Sequence, residues 1–109
     1  MATTYKVLGQ SAPSATTNTT LYTVPSATNT VVSTISVANR TASGATYRIA
    51  VRPAAASIAN QHYLAYDVTL AASDTTVITI GITLEATDVV TVYASTANIS
   101  FGIYGSEIS

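Results

Sequence analysis

Between Thr30 and Pro53 the chain reads TVVSTISVANRTASGATYRIAVRP, and the order of side chains in this stretch leaves few folds open. Val31, Ile35 and Val37 fall on one parity of the first run, and Tyr47, Ile49 and Val51 on one parity of the second. Ser36, Arg48 and Arg52 take the opposite parity. Side chains alternate across a strand, so each run makes a strand with a dry face and a wet face. Asn39–Gly44 between them holds turn formers, with Gly44 able to take a positive φ. The two runs are therefore expected to pair as an antiparallel hairpin.

The same period of two recurs along the chain. Thr3–Leu8 reads as a short first strand or as an arm lying on a neighbour, and residues 1–20 as a whole as an N-terminal arm and loop. Gly9–Thr20, small and polar around Pro13, reads as surface loop. Leu21–Val24 is a short strand ended by Pro25, which has no N–H to give a ladder. After Arg52-Pro53 the alanines of Ala54–Ala59 fit either a short helical turn or a loop. Gln61–Leu70 places His62, Leu64, Tyr66, Val68 and Leu70 on one parity, and Thr75–Ile82 places Ile78, Ile80 and Ile82 together. Val89–Ala94 follows, then Ile99–Tyr104 with Ile99, Phe101 and Ile103 on one side. Seven or eight short strands with frequent turns, and no apolar stripe at helical spacing, predict an all-β protein. The expected form is an antiparallel sandwich, jelly-roll or immunoglobulin-like, with residues 1–109 as one domain.

Charge is scarce. Only 8% of residues are charged, against about a quarter in an ordinary soluble domain, while serines and threonines number 32. A hydroxyl-clad surface costs little to dehydrate, which suits burial against another protein more than a solitary existence. The four basic residues form no run that could neutralise phosphates, so nucleic acid is not an expected partner. Apolar runs of a few residues fall far short of the roughly 20 that a spanning helix needs, and no membrane role is expected. There is no cysteine, hence no disulfide, thiolate chemistry or sulfur-ligated metal. The start MATTYK has no secretory pattern, so the chain is expected to be made in a cytosol and released within an assembly or by lysis.

Residues suited to catalysis do not assemble into a motif. His62 is the single histidine, and Asp67 and Asp74 lie at no metal-ligand spacing from it. Asp67, Asp74, Glu85, Asp88 and Glu107 show no pairing of the kind a glycosidase uses. Asp74 and Asp88 sit beside turns, where a carboxylate bonds nearby backbone N–H groups. No nucleophile elbow or phosphate loop occurs, so no enzymatic activity, cofactor or metal is expected. The sequons at Asn18, Asn39 and Asn98 are those that a chain rich in Ser and Thr holds by chance. Candidate contact residues are Tyr5 and Lys6 in the first segment and Arg40, Arg48 and Arg52, because arginine forks carboxylates and is enriched at interfaces. Tyr63 and Tyr104 join them, since their parity is opposite to the apolar set of their strands.

Six phrases carry a family resemblance: YKVLGQ at Tyr5–Gln10, LYTVP at Leu21–Pro25, VVSTISVANR at Val31–Arg40, YRIAVRP at Tyr47–Pro53, QHYLAYD at Gln61–Asp67 and FGIYGSE at Phe101–Glu107. Together they resemble small structural proteins of tailed bacteriophages, particularly those infecting cyanobacteria and marine bacteria. The resemblance runs over nearly the whole chain and transfers no active-site residue. It implies a virion component: a capsid decoration (cement) protein bound to the major capsid protein, or a tail, neck or fibre part. A symmetric homo-oligomer such as a trimer is the expected state, and a carbohydrate-binding sandwich is the alternative from another class.

Overall fold

A computed structural model describes residues 2–109 as eight strands: β1 (Thr3–Ser11), β2 (Thr19–Thr23), β3 (Asn29–Asn39), β4 (Ala45–Arg52), β5 (Tyr63–Leu70), β6 (Thr75–Leu84), β7 (Val89–Ala94) and β8 (Ile99–Ile108). They form two four-stranded antiparallel sheets, sheet I in the order β1-β8-β3-β6 and sheet II in the order β2-β7-β4-β5. Each strand pairs with the one equally far from the other end: β1 with β8, β2 with β7, β3 with β6, β4 with β5. The chain is in effect one long hairpin whose rungs alternate between the two sheets. The β3–β8 and β4–β7 ladders then join the rungs within each sheet. This is the jelly-roll wrap, and it selects between the two sandwich types open from the sequence. At the outer rung, Ala2 and Ser109 exchange backbone N–H···O bonds of 2.8 and 2.9 Å.

The expected hairpin of β3 and β4 does not form, because these strands lie in different sheets. The 40–44 connection carries the chain across the sandwich, so the dry sides of β3 and β4 face each other over the core. Alternation fixes which side of a strand is dry; it does not say whether two dry sides lie side by side or face to face. Gly44 keeps a negative φ. The crossing is organised by Asn39, whose Nδ2 donates to the carbonyls of Ser43 (2.8 Å), Leu70 (3.3 Å) and Ala71 (3.2 Å). Its Oδ1 accepts the Thr41 N–H at 3.1 Å.

The core is filled by Val24, Val32, Ile35, Val37, Ile49, Leu70, Val90, Val92, Ile99 and Ile103, all essentially without exposure. Each such side chain contributes roughly 1.5–3 kcal/mol by leaving water. Tyr47 of sheet II meets Phe101 of sheet I edge to face, with centroids 6.3 Å apart.

Two departures from the expected parity have the same cause. On β3 the ladder with β8 advances two residues against one between Val32 and Thr34, leaving Ser33 as an extra residue. A bulge of this kind exchanges the faces on its two sides. Val31 therefore points outward at 36% exposure, and Val32 takes its place in the core at 0%. On β5, register shifts fall at Leu64 and around Tyr66–Asp67, where Asp67 has φ 51°. Leu64 and Tyr66, read as one dry set with His62, Val68 and Leu70, fall in the shifted part and are exposed. Val68, opposite Tyr47, keeps the inward side with Leu70 but stands 38% exposed on this edge strand, and only Leu70 of the set is buried.

Of the two readings open for Thr3–Leu8, the strand is the one present, and it is longer than expected. Residues 3–11 form a full strand along β8 rather than a free arm, so Gly9–Ser11 leave the expected loop and the actual connection is shorter. Gly9 is required where β1 passes β2, because a Cβ there would run into the carbonyl oxygen of Leu21. Ala54–Ala59 does not make one helical turn. Single 3₁₀ turns occur at Pro53–Ala55 and Asn60–His62, and Ala54 and Ala55 are left-handed at φ 53° and 58°. The 53–62 segment folds back beside sheet II, with Arg52 Nη1 bonded to Ala56 O at 3.0 Å and the Ala54 N–H to Asp88 Oδ1 at 2.9 Å.

Candidate functional site

The outer side of sheet II is set by the β4–β7 ladder, where Tyr47, Ile49 and Val51 point in and Arg48, Ala50 and Arg52 point out. Arg48 lies opposite Tyr93 and beside the β5 bulge. Its guanidinium carbon stands 4.2 Å from the ring centroids of both Tyr66 and Tyr93, a cation–π sandwich. The left-handed backbone at Asp67 turns that carboxylate back onto the same guanidinium, with Nε to Oδ1 at 2.6 Å and Nη2 to Oδ2 at 3.3 Å. The Asp67 hydrogen bond raises the Arg48 pKa above its ordinary value, so the group is a permanent cation. Tyr63 abuts Tyr66 edge to face at 4.8 Å and 83°, and the two rings line a shallow hollow with Asn60. Arg52, farther along the face, donates from Nε to Thr91 Oγ1 at 3.0 Å.

The outer side of sheet I has a different character. Register sets the rows Gln10–Gly102–Ser36–Val77, Val7–Tyr104–Thr34–Thr79 and Tyr5–Ser106–Val31–Thr83 across its four strands. None of these residues is charged. The two charged residues in the strands of sheet I, Lys6 and Glu107, occupy rows with Val32 and Thr30, which are buried. Large apolar side chains stand exposed on this neutral face: Tyr5 at 84%, Val77 at 60% and Val7 at 51%, with Val31 beside them. The Tyr104 hydroxyl reaches the space that a Cβ at Gly102 would occupy. Tyr104 and Gly102 share a hollow with Gln10, Ser36, Ala38 and Ser100.

Between the sheets, Glu107 accepts Tyr22 Oη–H on Oε2 at 2.5 Å and the Lys6 ammonium on Oε1 at 3.2 Å. Tyr22 Oη also contacts Thr30 Oγ1 at 2.8 Å. The Tyr22 hydrogen bond, helped by Lys6, holds the Glu107 carboxyl below its usual range against the opposing effect of burial. Burial, then the Glu107 hydrogen bond, pushes the Tyr22 phenol up to about 12.

The seven residues singled out in the sequence thus divide. Arg48, Arg52 and Tyr63 share the outer side of sheet II, and Tyr5 and Tyr104 share that of sheet I. Lys6 turns inward to Glu107, and Arg40, in the 40–44 connection, donates from Nη2 to Ala97 O at 2.9 Å. Sequence reasoning passed over Asp67, Tyr66 and Tyr93 as partners of Arg48, because the bulge that gathers the first two leaves no mark in a parity count and the β4–β7 register that sets Tyr93 opposite Arg48 joins distant segments. It also missed Val77, whose β-branched side chain on the wet parity of β6 was the available signal.

The remaining polar groups serve the fold. Asp88 accepts the N–H groups of Ala54 and Glu85, Asp74 accepts that of Thr75, and His62 Nδ1 accepts that of Ala59. Among the described residues no buried side-chain nitrogen or oxygen lacks a partner, and no three acids or histidines come together as a metal cage. Set against known proteins, the chain matches no protein-family model and no curated sequence.

Proposed function

We propose that this chain is a non-enzymatic structural protein of a tailed-bacteriophage virion, a decoration protein that binds and stabilises the head shell. The observation that carries the reading is where its large exposed apolar side chains stand. All seven fall in two places: Tyr5, Val7, Val31 and Val77 on the charge-free side of sheet I, and Leu64, Tyr66 and Val68 on β5. Contiguous apolar surface with little charge marks protein contact, and tyrosine with arginine, as around Arg48, is the composition of interface hot spots. Jelly rolls serve in viral capsids, lectins and cupins alike, so the architecture accords with the reading without selecting it. The phrase-level resemblance supplies the virion context.

Purified chain mixed with undecorated heads of the virus that carries its gene is expected to co-sediment with them and to raise the temperature at which they open. Heads that neither bind nor gain heat resistance would overturn the placement on the shell and leave the tail, neck or fibre as the site to examine. A second reading, a carbohydrate-binding module, draws on the hollow of Asn60, Tyr63 and Tyr66. Those rings meet at 83°, so they offer a sugar no flat platform. A glycan array is expected to stay blank, and strong saccharide hits would favour this second reading.

A further inference from the structure

The outer side of sheet I is shaped to match itself. The row Gln10–Gly102–Ser36–Val77 crosses all four strands at one level. Its β6 position is a knob, because Val77 stands 60% exposed. Its β8 position is low, because Gly102 has no side chain and the Tyr104 phenol lies across it in the place of one, and a shallow hollow opens beside that ring, bounded by the small Ser36, Ala38 and Ser100 and by Gln10. β8 and β6 flank β3 on either side, each about 4.8 Å away. A twofold axis lying in the face, along β3 at Ser36, therefore exchanges the knob and hollow positions. We propose that this face is a docking surface for a second copy of the same chain, packed sheet to sheet about that axis. Val77 of each copy then enters the hollow beside Tyr104 of the other.

Three features commit the face to a second copy. An isologous contact needs a self-complementary patch, and the knob and hollow here are related by the one operation that such a contact uses. A neutral face meets its own copy with no charge stranded, whereas a partner of ordinary composition would bury charges against it with nothing to pair them. The size also fits. Four strands of about nine residues make a plate of roughly 600 Å² before side-chain relief is counted, near the about 800 Å² that each partner gives to a standard interface. The proposal rests on the assembly reading above and names the occupant of one of its two surfaces.

Sedimentation velocity of the full chain over a concentration series tests it. Wild type is expected to dimerise, Val77→Asp to weaken the dimer by about a hundredfold or more, and Leu64→Asp, on the other sheet, to leave it unchanged. The chain has no cysteine, so Ser36→Cys introduces a single thiol at the axis. A bis-maleimide spanning about 10 Å, the usual separation of packed sheets, should then link pairs of chains. Should Val77→Asp lose its β-sheet circular dichroism, Thr79→Asp in the neighbouring outward row replaces it. A wild type that stays monomeric, or a dimer broken by Leu64→Asp and not by the sheet I variants, would overturn the proposal. A monomer whose binding to heads is lost with Val77→Asp overturns the second copy and keeps the assembly reading. A dimer broken by Val77→Asp that ignores heads and tails keeps the dimer and overturns the assembly reading.

Discussion

Glu107 gathers Lys6 of β1, Tyr22 of β2 and, through the phenol, Thr30 of β3 onto one carboxylate of β8. Its folded pKa lies below the ordinary 4.5, so the stability it contributes is present above that value and is lost as pH falls through the folded pKa. Tyr22 works in the opposite sense. Its pKa rises from 10.0 to about 12, so the folded state keeps a proton that the unfolded state gives up, and stability falls as pH climbs between those values. Melting temperature against pH is expected to sag at both ends. Tyr22→Phe should soften the alkaline limb without abolishing it, because Tyr47 is also raised by burial. An unchanged alkaline limb in that variant would dissociate the phenol from the pH response. Ile49, whose inward parity was readable and which is 1% exposed, should cost about 2–5 kcal/mol on truncation to alanine in urea unfolding. The contrast between these residues shows what a sequence exposes. Ile49 announces itself through its neighbours two places away, while Glu107 is defined by Lys6, 101 residues distant, and by Tyr22, 85 distant.

Seven of the eight strand segments are visible as short β-prone runs, most of them by alternation, and the first is left open between strand and arm; their partners and some of their faces are not visible. β3 and β4 look like a hairpin because the 40–44 segment is short and polar, and the same segment serves equally well as a crossing between sheets. The single extra residue at Ser33 moves Val31 out and Val32 in, and the shifts in β5 do the same to Leu64 and Tyr66. The Tyr66 and Asp67 half of the Arg48 cluster depends on that β5 irregularity, so it was no more legible than the bulge itself, and Tyr93 reaches Arg48 through a pairing of distant strands. Threonine in place of valine keeps the shape and adds a hydroxyl, which makes it a probe of the bulge. Val31→Thr should leave unfolding free energy within about 0.5 kcal/mol of wild type, and Val32→Thr should lower it by about 1–3 kcal/mol by burying the hydroxyl without a partner. Equal effects at the two positions would count against the placement of the bulge.

For the molecule as a whole, the nested pairing makes nearly every ladder a long-range one, with β1–β8 spanning the described chain and β4–β5 the tightest rung. Closing distant ends costs entropy before contacts reward it, so refolding is expected on the millisecond-to-second scale usual for sandwiches. Stopped-flow tyrosine fluorescence can follow it, and nucleation is expected at β4–β5. Ile49→Ala should then slow refolding, while Ile103→Ala, on β8, should chiefly speed unfolding. The reverse pattern would place the nucleus at the outer rung. The mutual backbone bonds of Ala2 and Ser109 have a last consequence, because they hold residues 2 and 109 side by side across a single seam. A few residues bridging that seam, with a cut in the exposed 42–44 segment, should give a permuted chain that keeps every ladder. Cargo fused at residue 2 or at residue 109 would leave from the same spot on the rim, so either tether presents it identically.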